Sequence, residues 1–306
     1  MKNARSVSTA LWAIFACFLW STAFVGVKAG LQYARPLSFA GVRFMVSGLL
    51  IVPFCGSWTR FIHHIRIHFR LILLVGFFQT ALLYGLFFIG MTMVPGAIGA
   101  IVVGSSPLFA ALVAHFLIHD DRMNLQKTGS ILLGILGIVI VTLSRQPWSS
   151  TGLRESAGVM LLIAGCLSSA FGNVIFSKNR ENVHPLIFNA AQIFYGGFLL
   201  FLISLPVEGL PKWQCSGVFA AAFAWLAVLS AAAFSIWFAM LKRPGVKVSE
   251  LNVWKFVIPL FGAMFSWLFL KGESPTWPML GGMLCVSVSI LAFYRSIRPK
   301  TGGQAS

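Results

Sequence analysis

Residues 104–121 read GSSPLFAALVAHFLIHDD, and residues 254–273 read WKFVIPLFGAMFSWLFLKGE. Pro107, Leu108, Phe109 and Ala111 align with Pro259, Leu260, Phe261 and Ala263 at a constant offset of 152 (259 minus 107), with Asp121 opposite Glu273. The register holds downstream, where Gly129, Leu132 and Ile138 meet Gly281, Leu284 and Ile290. Upstream, Pro36, Leu37, Phe39, Gly48 and Leu50 meet Pro185, Leu186, Phe188, Gly197 and Leu199 at an offset of 149 (185 minus 36). The chain therefore reads as a duplication, with halves at 1–147 and 148–306. Each quoted segment carries a proline in mid-run, where the missing N–H and the ring clash are expected to kink or unwind a helix.

The composition around these segments is that of a membrane protein. Of 306 residues, 58% are hydrophobic and 10% charged, and the mean hydropathy is +0.86. A soluble domain carries about 25% charged residues. A bilayer-spanning helix needs about 20 apolar residues. Cutting the chain at polar and Pro/Gly punctuation predicts spans at 10–30, 37–55, 71–92, 95–118 and 128–143 in the first half. The second half gives 156–177, 185–206, 217–241, 248–270 and 277–294, followed by a short cytoplasmic tail. Five spans per half is an odd number, so the second half enters the bilayer upside down. The expected fold is an all-α integral membrane protein of ten transmembrane helices in two inverted five-helix repeats, an arrangement on which secondary transporters build alternating access around a midplane site.

Basic residues number 23 against 7 acidic, a net charge of +16 that in a soluble chain would point to nucleic acid. Here the bases sit in short clusters between apolar runs, which argues against a nucleic-acid partner and for orientation in a bilayer. With the N-terminus inside, fifteen bases fall in inner segments and six in outer ones, while Arg43 and Lys255 lie within spans. Both termini are predicted to be cytoplasmic, in a bacterial inner membrane. Lys2 and Arg5 before the run from Ala10 imitate a secretory signal, but Trp20 interrupts any cleavage region and the run belongs to a repeating set, so it is expected to stay as the first helix. The five cysteines show no C-x-x-C spacing, which indicates neither a disulfide framework nor a zinc site. The longest polar segment, 56–70, interleaves six large apolar residues with three Arg and three His and is predicted to lie on anionic lipid. His64 and His68 would share a helical face, but no carboxylate or cysteine accompanies them. No metal and no cofactor is expected.

LWSTAF at 19–24, VRF at 42–44 and the two proline segments quoted above together resemble the drug/metabolite transporter superfamily, specifically its ten-helix EamA-type members. The resemblance covers nearly the whole chain. It implies acidic residues closing the fourth and ninth helices, places that Asp121 and Glu273 fill, and export of amino acids, nucleosides or other metabolites. It is almost silent on substrate.

An ionisable group inside a span is a functional candidate because its insertion costs about 2.5–3.5 kcal/mol at the helix centre on translocon scales. Lys255, roughly 10 Å into the ninth span at 1.5 Å per residue, could favour an anionic substrate group, against snorkelling to the headgroups. Glu250 is a pathway candidate or a first-turn carboxylate complementing the helix dipole. Arg43, opposite Gln192 in the repeat, either ties helices together or touches ligand. Polar residues within spans complete the pathway set: Trp20, Ser21, Tyr84, Ser105, Ser106, Asn173, Gln192, Asn252 and Trp254. Each also has a simpler reading as helix packing. Pro107 and Pro259 are the hinge candidates.

The expected function is secondary transport, the export of a small metabolite such as an amino acid by alternating access. A proton or other ion gradient is a candidate driving force, and the assembly is a monomer or homodimer in the lipid bilayer. The alternatives are an intramembrane enzyme and a non-transporting scaffold or receptor. No H-E-x-x-H, G-x-S-x-G or P-loop is present, and no aspartate falls in a span, so enzyme chemistry has no motif to stand on.

Overall fold

The computed structural model describes residues 2–117, 125–144, 149–179, 182–243, 246, 251–252 and 254–297. Every regular element among them is helical. The first span is α1 (Lys2–Gly30), and α2 (Pro36–Ile51) opens on a proline at its first turn, where no N–H is missed. Segment 56–70 is largely a helix of its own, α3 (Trp58–Ile67), started by the Ser57 hydroxyl, which accepts from the Arg60 N–H at 3.4 Å. Its large apolar moment along one side fits a helix lying in the interface.

The third span joins α4 (Phe69–Gly76), a π-helical segment Phe77–Leu82, and α5 (Leu83–Met91). The fourth is two helices, α6 (Gly96–Gly104) and α7 (Ser106–Leu117). Then come α8 (Leu125–Leu143), α9 (Ser150–Lys178), α10 (Pro185–Glu208) and α11 (Gly217–Lys242). The start of the predicted ninth span lies outside the described residues, and its described part passes through a 3₁₀ turn, Trp254–Phe256, into α12 (Val257–Phe269). The last helix is α13 (Trp277–Ile297). Among the described residues, eight helical runs are long and apolar enough to cross a membrane, and the two shorter apolar helices fall at the ninth and tenth predicted spans.

The bundle turns large apolar side chains outward, for example Leu132, Leu136, Phe269 and Leu284, which suits a lipid surround. Glycine sets the tightest crossings. A Cβ on Gly48 would meet the Ala190 carbonyl oxygen at 2.8 Å and Phe194 Cβ at 2.6 Å. One on Gly197 would meet the Gly41 oxygen and the Met45 nitrogen, both at 2.8 Å. These are one contact seen twice, since adding 149 to 48, 41 and 45 gives 197, 190 and 194. The α2–α10 crossing thus carries the sequence duplication into the packing.

Candidate functional site

The site is built where the fourth and ninth spans break. α6 stops at Gly104, and Ser105 folds back, its N–H donating to Val102 O at 3.1 Å and its hydroxyl to the same oxygen at 2.6 Å. Pro107 is the second residue of α7, and Pro259 the third of α12. Neither is in mid-helix, as the sequence suggested. Both occupy a first turn, where the absent N–H leaves no bond unmade. A Cβ on Gly104 would collide with the ring of Pro259, with Cγ at 2.6 Å, so the two breaks lie against one another.

Beside them is a cavity of about 90 Å³, reached by side chains from α1, α2, the third and fourth spans, α9, α11 and the ninth span. That is room for a few waters, since a cavity needs at least about 10–15 Å³ to hold one. Of the residues picked from sequence, Trp20, Arg43, Tyr84, Ser106 and Lys255 line it. Ser21, Ser105, Asn173, Gln192 and Asn252 are buried outside the lining, Trp254 is partly buried outside it, and Glu250 lies outside the described residues. Gln79, Cys166, Ser230 and Phe234 line it without having been singled out. An amide in the middle of the otherwise apolar span Phe69–Met91 was the available signal for Gln79.

Two cations stand in this wall. The Lys255 ammonium is 5.0 Å from the Trp237 ring centroid and 5.9 Å from that of Trp20, and the residue is 7% exposed. Arg43 is 2% exposed; its Nη1 donates to Leu226 O at 3.0 Å and to Ser230 Oγ at 2.6 Å, tying α2 to α11. Its guanidinium lies 3.9 Å from the Phe44 ring centroid. Arg43 is therefore a bracing residue that also borders the cavity. Four lining atoms have no hydrogen-bond partner: Trp20 Nε1, Arg43 Nε, Gln79 Oε1 and Ser106 Oγ. A buried polar group left alone costs about 1–3 kcal/mol, so these residues around the cavity hold unmet polar capacity.

The π segment places Gln79. Within it the Phe78 carbonyl accepts from Ser168 Oγ of α9 at 2.6 Å. A polar chain follows from Thr80, whose hydroxyl donates to Gln192 Oε1 at 2.9 Å; Gln192 Nε2 donates to Asn189 Oδ1 at 3.0 Å, and Asn189 Nδ2 to Ser235 Oγ at 3.0 Å. Gln192 thus joins the third, seventh and eighth spans instead of facing the cavity.

The helix ends are also tied across the halves. Glu208 accepts from the Leu37 and Ser38 N–H groups at 2.7 and 2.9 Å, and Glu273 from those of Gly96 and Ala97 at 2.6 and 3.0 Å, a carboxylate on each helix N-terminus. Asp121 lies outside the described residues. At the opposite face, His64 Nε2 accepts from the His184 N–H at 3.1 Å, at the start of α10. Burial, helped by His68, His184, Lys242 and Arg60, pushes His64 down from 6.5 to about 4, so near neutral pH it is an acceptor.

A helical multi-pass membrane protein with a central, partly polar cavity is the class that this fold and site define. The EamA-like transporter family model matches residues 7–143 and again 156–295, and the chain belongs to that family. It is 27% identical over 292 residues to the uncharacterized transporter YvbV of Bacillus subtilis (strain 168), covering 95% of this chain and 92% of that one. It is 23% identical to YoaV of the same organism, covering 95% and 99%, and 22% identical to Protein PecM of Dickeya dadantii, covering 92% and 90%. A solved crystal structure overlays with a TM-score of 0.64 at 17% identity, covering 95% of this chain and 99% of that one, a likeness of fold.

Proposed function

We propose that the protein is a secondary transporter that exports a small metabolite by alternating access, with the central cavity as its substrate site. The observation that supports this most directly is how the cavity is shared. Val103 and Lys255 correspond at the offset of 152, as do Ser106 and Ile258, and all four line it. A solute held there touches matching positions of both halves, which is what exchange between two related conformations around one site needs. The reading includes a bacterial inner-membrane location with both termini cytoplasmic, a proton or other ion gradient as driving force, and a monomer or homodimer as the working unit.

The test is a metabolite-export screen. Cells overexpressing the protein should accumulate a specific solute outside, and proteoliposomes should move that solute, with a rate that responds to an imposed proton gradient if protons are coupled. Unchanged external metabolites, together with silent proteoliposomes, would remove the transport reading.

A further inference from the structure

We infer that the cavity selects a small organic anion with an apolar body, and that it discriminates against the zwitterion and the cation built on the same carbon skeleton. The inference rests on the transport reading only for the word substrate; the binding preference stands by itself. Lys255 and Arg43 both border the cavity, and no Asp or Glu among the described residues lines it. A desolvated ammonium on a ligand would therefore meet like charge without a carboxylate to receive it, which is an arrangement that rejects.

Aromatic faces could take an ammonium instead, but the best of them are engaged. Lys255 sits over Trp20 and Trp237, and the Arg43 guanidinium lies over Phe44, with Tyr84 at 5.6 Å and Phe88 at 5.2 Å. The polar atoms without a partner are mostly donors: the Trp20 and Arg43 N–H groups and the Ser106 hydroxyl, against the single acceptor-only atom Gln79 Oε1. Donors and fixed positive charge together describe the complement of a carboxylate or a similar oxyanion.

The rest of the wall fixes the other end of the ligand. Phe24, Leu83, Phe87 and Phe234 are apolar, and Val103 stands where the repeat would place a second Lys255. At that pair of positions charge stands on one side only, Arg43 adds a second cation from the first half, and an anionic head with an apolar body is the shape that fits. A cavity with room for a few waters suits a small skeleton.

The matched probes are 4-methylpentanoate, leucine and 3-methylbutylamine, which share one branched skeleton and differ in charged groups. Binding to the full chain in lipid nanodiscs can be read by tryptophan fluorescence, because Trp20 and Trp237 line the cavity. At pH 7 the carboxylate should saturate the signal with an affinity about thirtyfold or more above that of leucine, the equivalent of supplying one missing partner to a buried charge, and the amine should not saturate. Lys255→Met should erase that preference and Lys255→Arg should keep much of it.

Leucine binding as tightly as the carboxylate, a silent carboxylate, or a preference surviving Lys255→Met each overturns the inference. Counterflow in proteoliposomes separates the two readings. Transport of leucine with no selectivity for the anion leaves the transporter standing and the anion preference refuted. Selective binding of the anion without any counterflow does the reverse.

Discussion

Replacing Gly197 with alanine asks whether the α2–α10 crossing is as tight as it looks. The added Cβ would stand 2.8 Å from the Gly41 oxygen, the Met45 nitrogen and Phe44 Cβ, whereas ordinary contact begins at 3.4 Å. Two of the three obstacles are backbone, so the helices must part by about 0.6 Å. A gap of about 0.5–1 Å gives up about a quarter to a half of each dispersion well of about 0.1–0.2 kcal/mol. At about 0.6 Å the loss is about a quarter of each well, so over about 50 atom pairs it comes to about 1–3 kcal/mol. Alanine returns up to about 1 kcal/mol of helix propensity, leaving a net loss of about 0–2 kcal/mol.

The same substitution at Gly281 is the internal control, because nothing lies within 4 Å of a Cβ there. Gly281→Ala should be neutral or stabilising by up to about 1 kcal/mol. Unfolding by SDS in mixed micelles, followed by far-UV circular dichroism, measures the two side by side. They should differ by about 1–3 kcal/mol, with Gly197→Ala the less stable. If Gly197→Ala matches or exceeds Gly281→Ala, small residues do not set the distance between α2 and α10, and the close approach described here is wrong.

Three further outcomes are expected. Cys215 is exposed while Cys17, Cys55 and Cys166 are buried, so a membrane-impermeant maleimide should label Cys215 in intact cells of a variant without the other cysteines; labelling only after permeabilisation would reverse the proposed orientation. Pro107→Ala and Pro259→Ala remove the ring that keeps each break from closing into regular helix and should slow counterflow with little change in melting temperature, whereas unchanged rates in both single variants and the double variant would make the prolines packing features. Because folding lowers the His64 pKa from 6.5 to about 4, the unfolded chain binds the extra proton between those values; stability from His64 is present above 6.5 and lost as pH falls toward 4, so His64→Ala should flatten the melting-temperature slope in that window, and an unaltered slope would refute it.

The spans were legible because about 20 apolar residues in a row have few other uses, and the duplication was legible because helices that cross alike repeat their glycines and prolines. What was not legible depends on partners far away in sequence. Pro107 shows in the sequence that a helix is disturbed, but only the fold shows Gly104 seated against Pro259. Gln192 looked like a cavity residue because it is a polar side chain within a span; it is instead held by Thr80 and Asn189. Glu208 gave no signal at all, since a carboxylate at the end of one helix looks ordinary until another helix N-terminus is placed upon it. The π segment, too, is tied by a hydroxyl from α9 that donates to its Phe78 carbonyl.

The two halves agree in how they pack and differ in what they show to the cavity. Gly48 and Gly197 make the same crossing from opposite sides, Gly129 and Gly281 both face open space, and Pro107 and Pro259 both sit in the first turn of a half-helix. The lining breaks the pattern: Val103 against Lys255, Ser106 against Ile258, and Arg43, which borders the cavity, against Gln192, which does not. Backbone crossings decide which arrangements of the bundle have similar energy, so on the proposed reading equivalence there would keep a related second conformation within reach. A solute, by contrast, has a head and a tail, and a symmetric wall would hold it equally well in either direction. On the proposed reading, Lys255 opposite Val103 and Arg43 opposite Gln192 would give a bound molecule a preferred orientation without disturbing the packing that exchange between the halves would need.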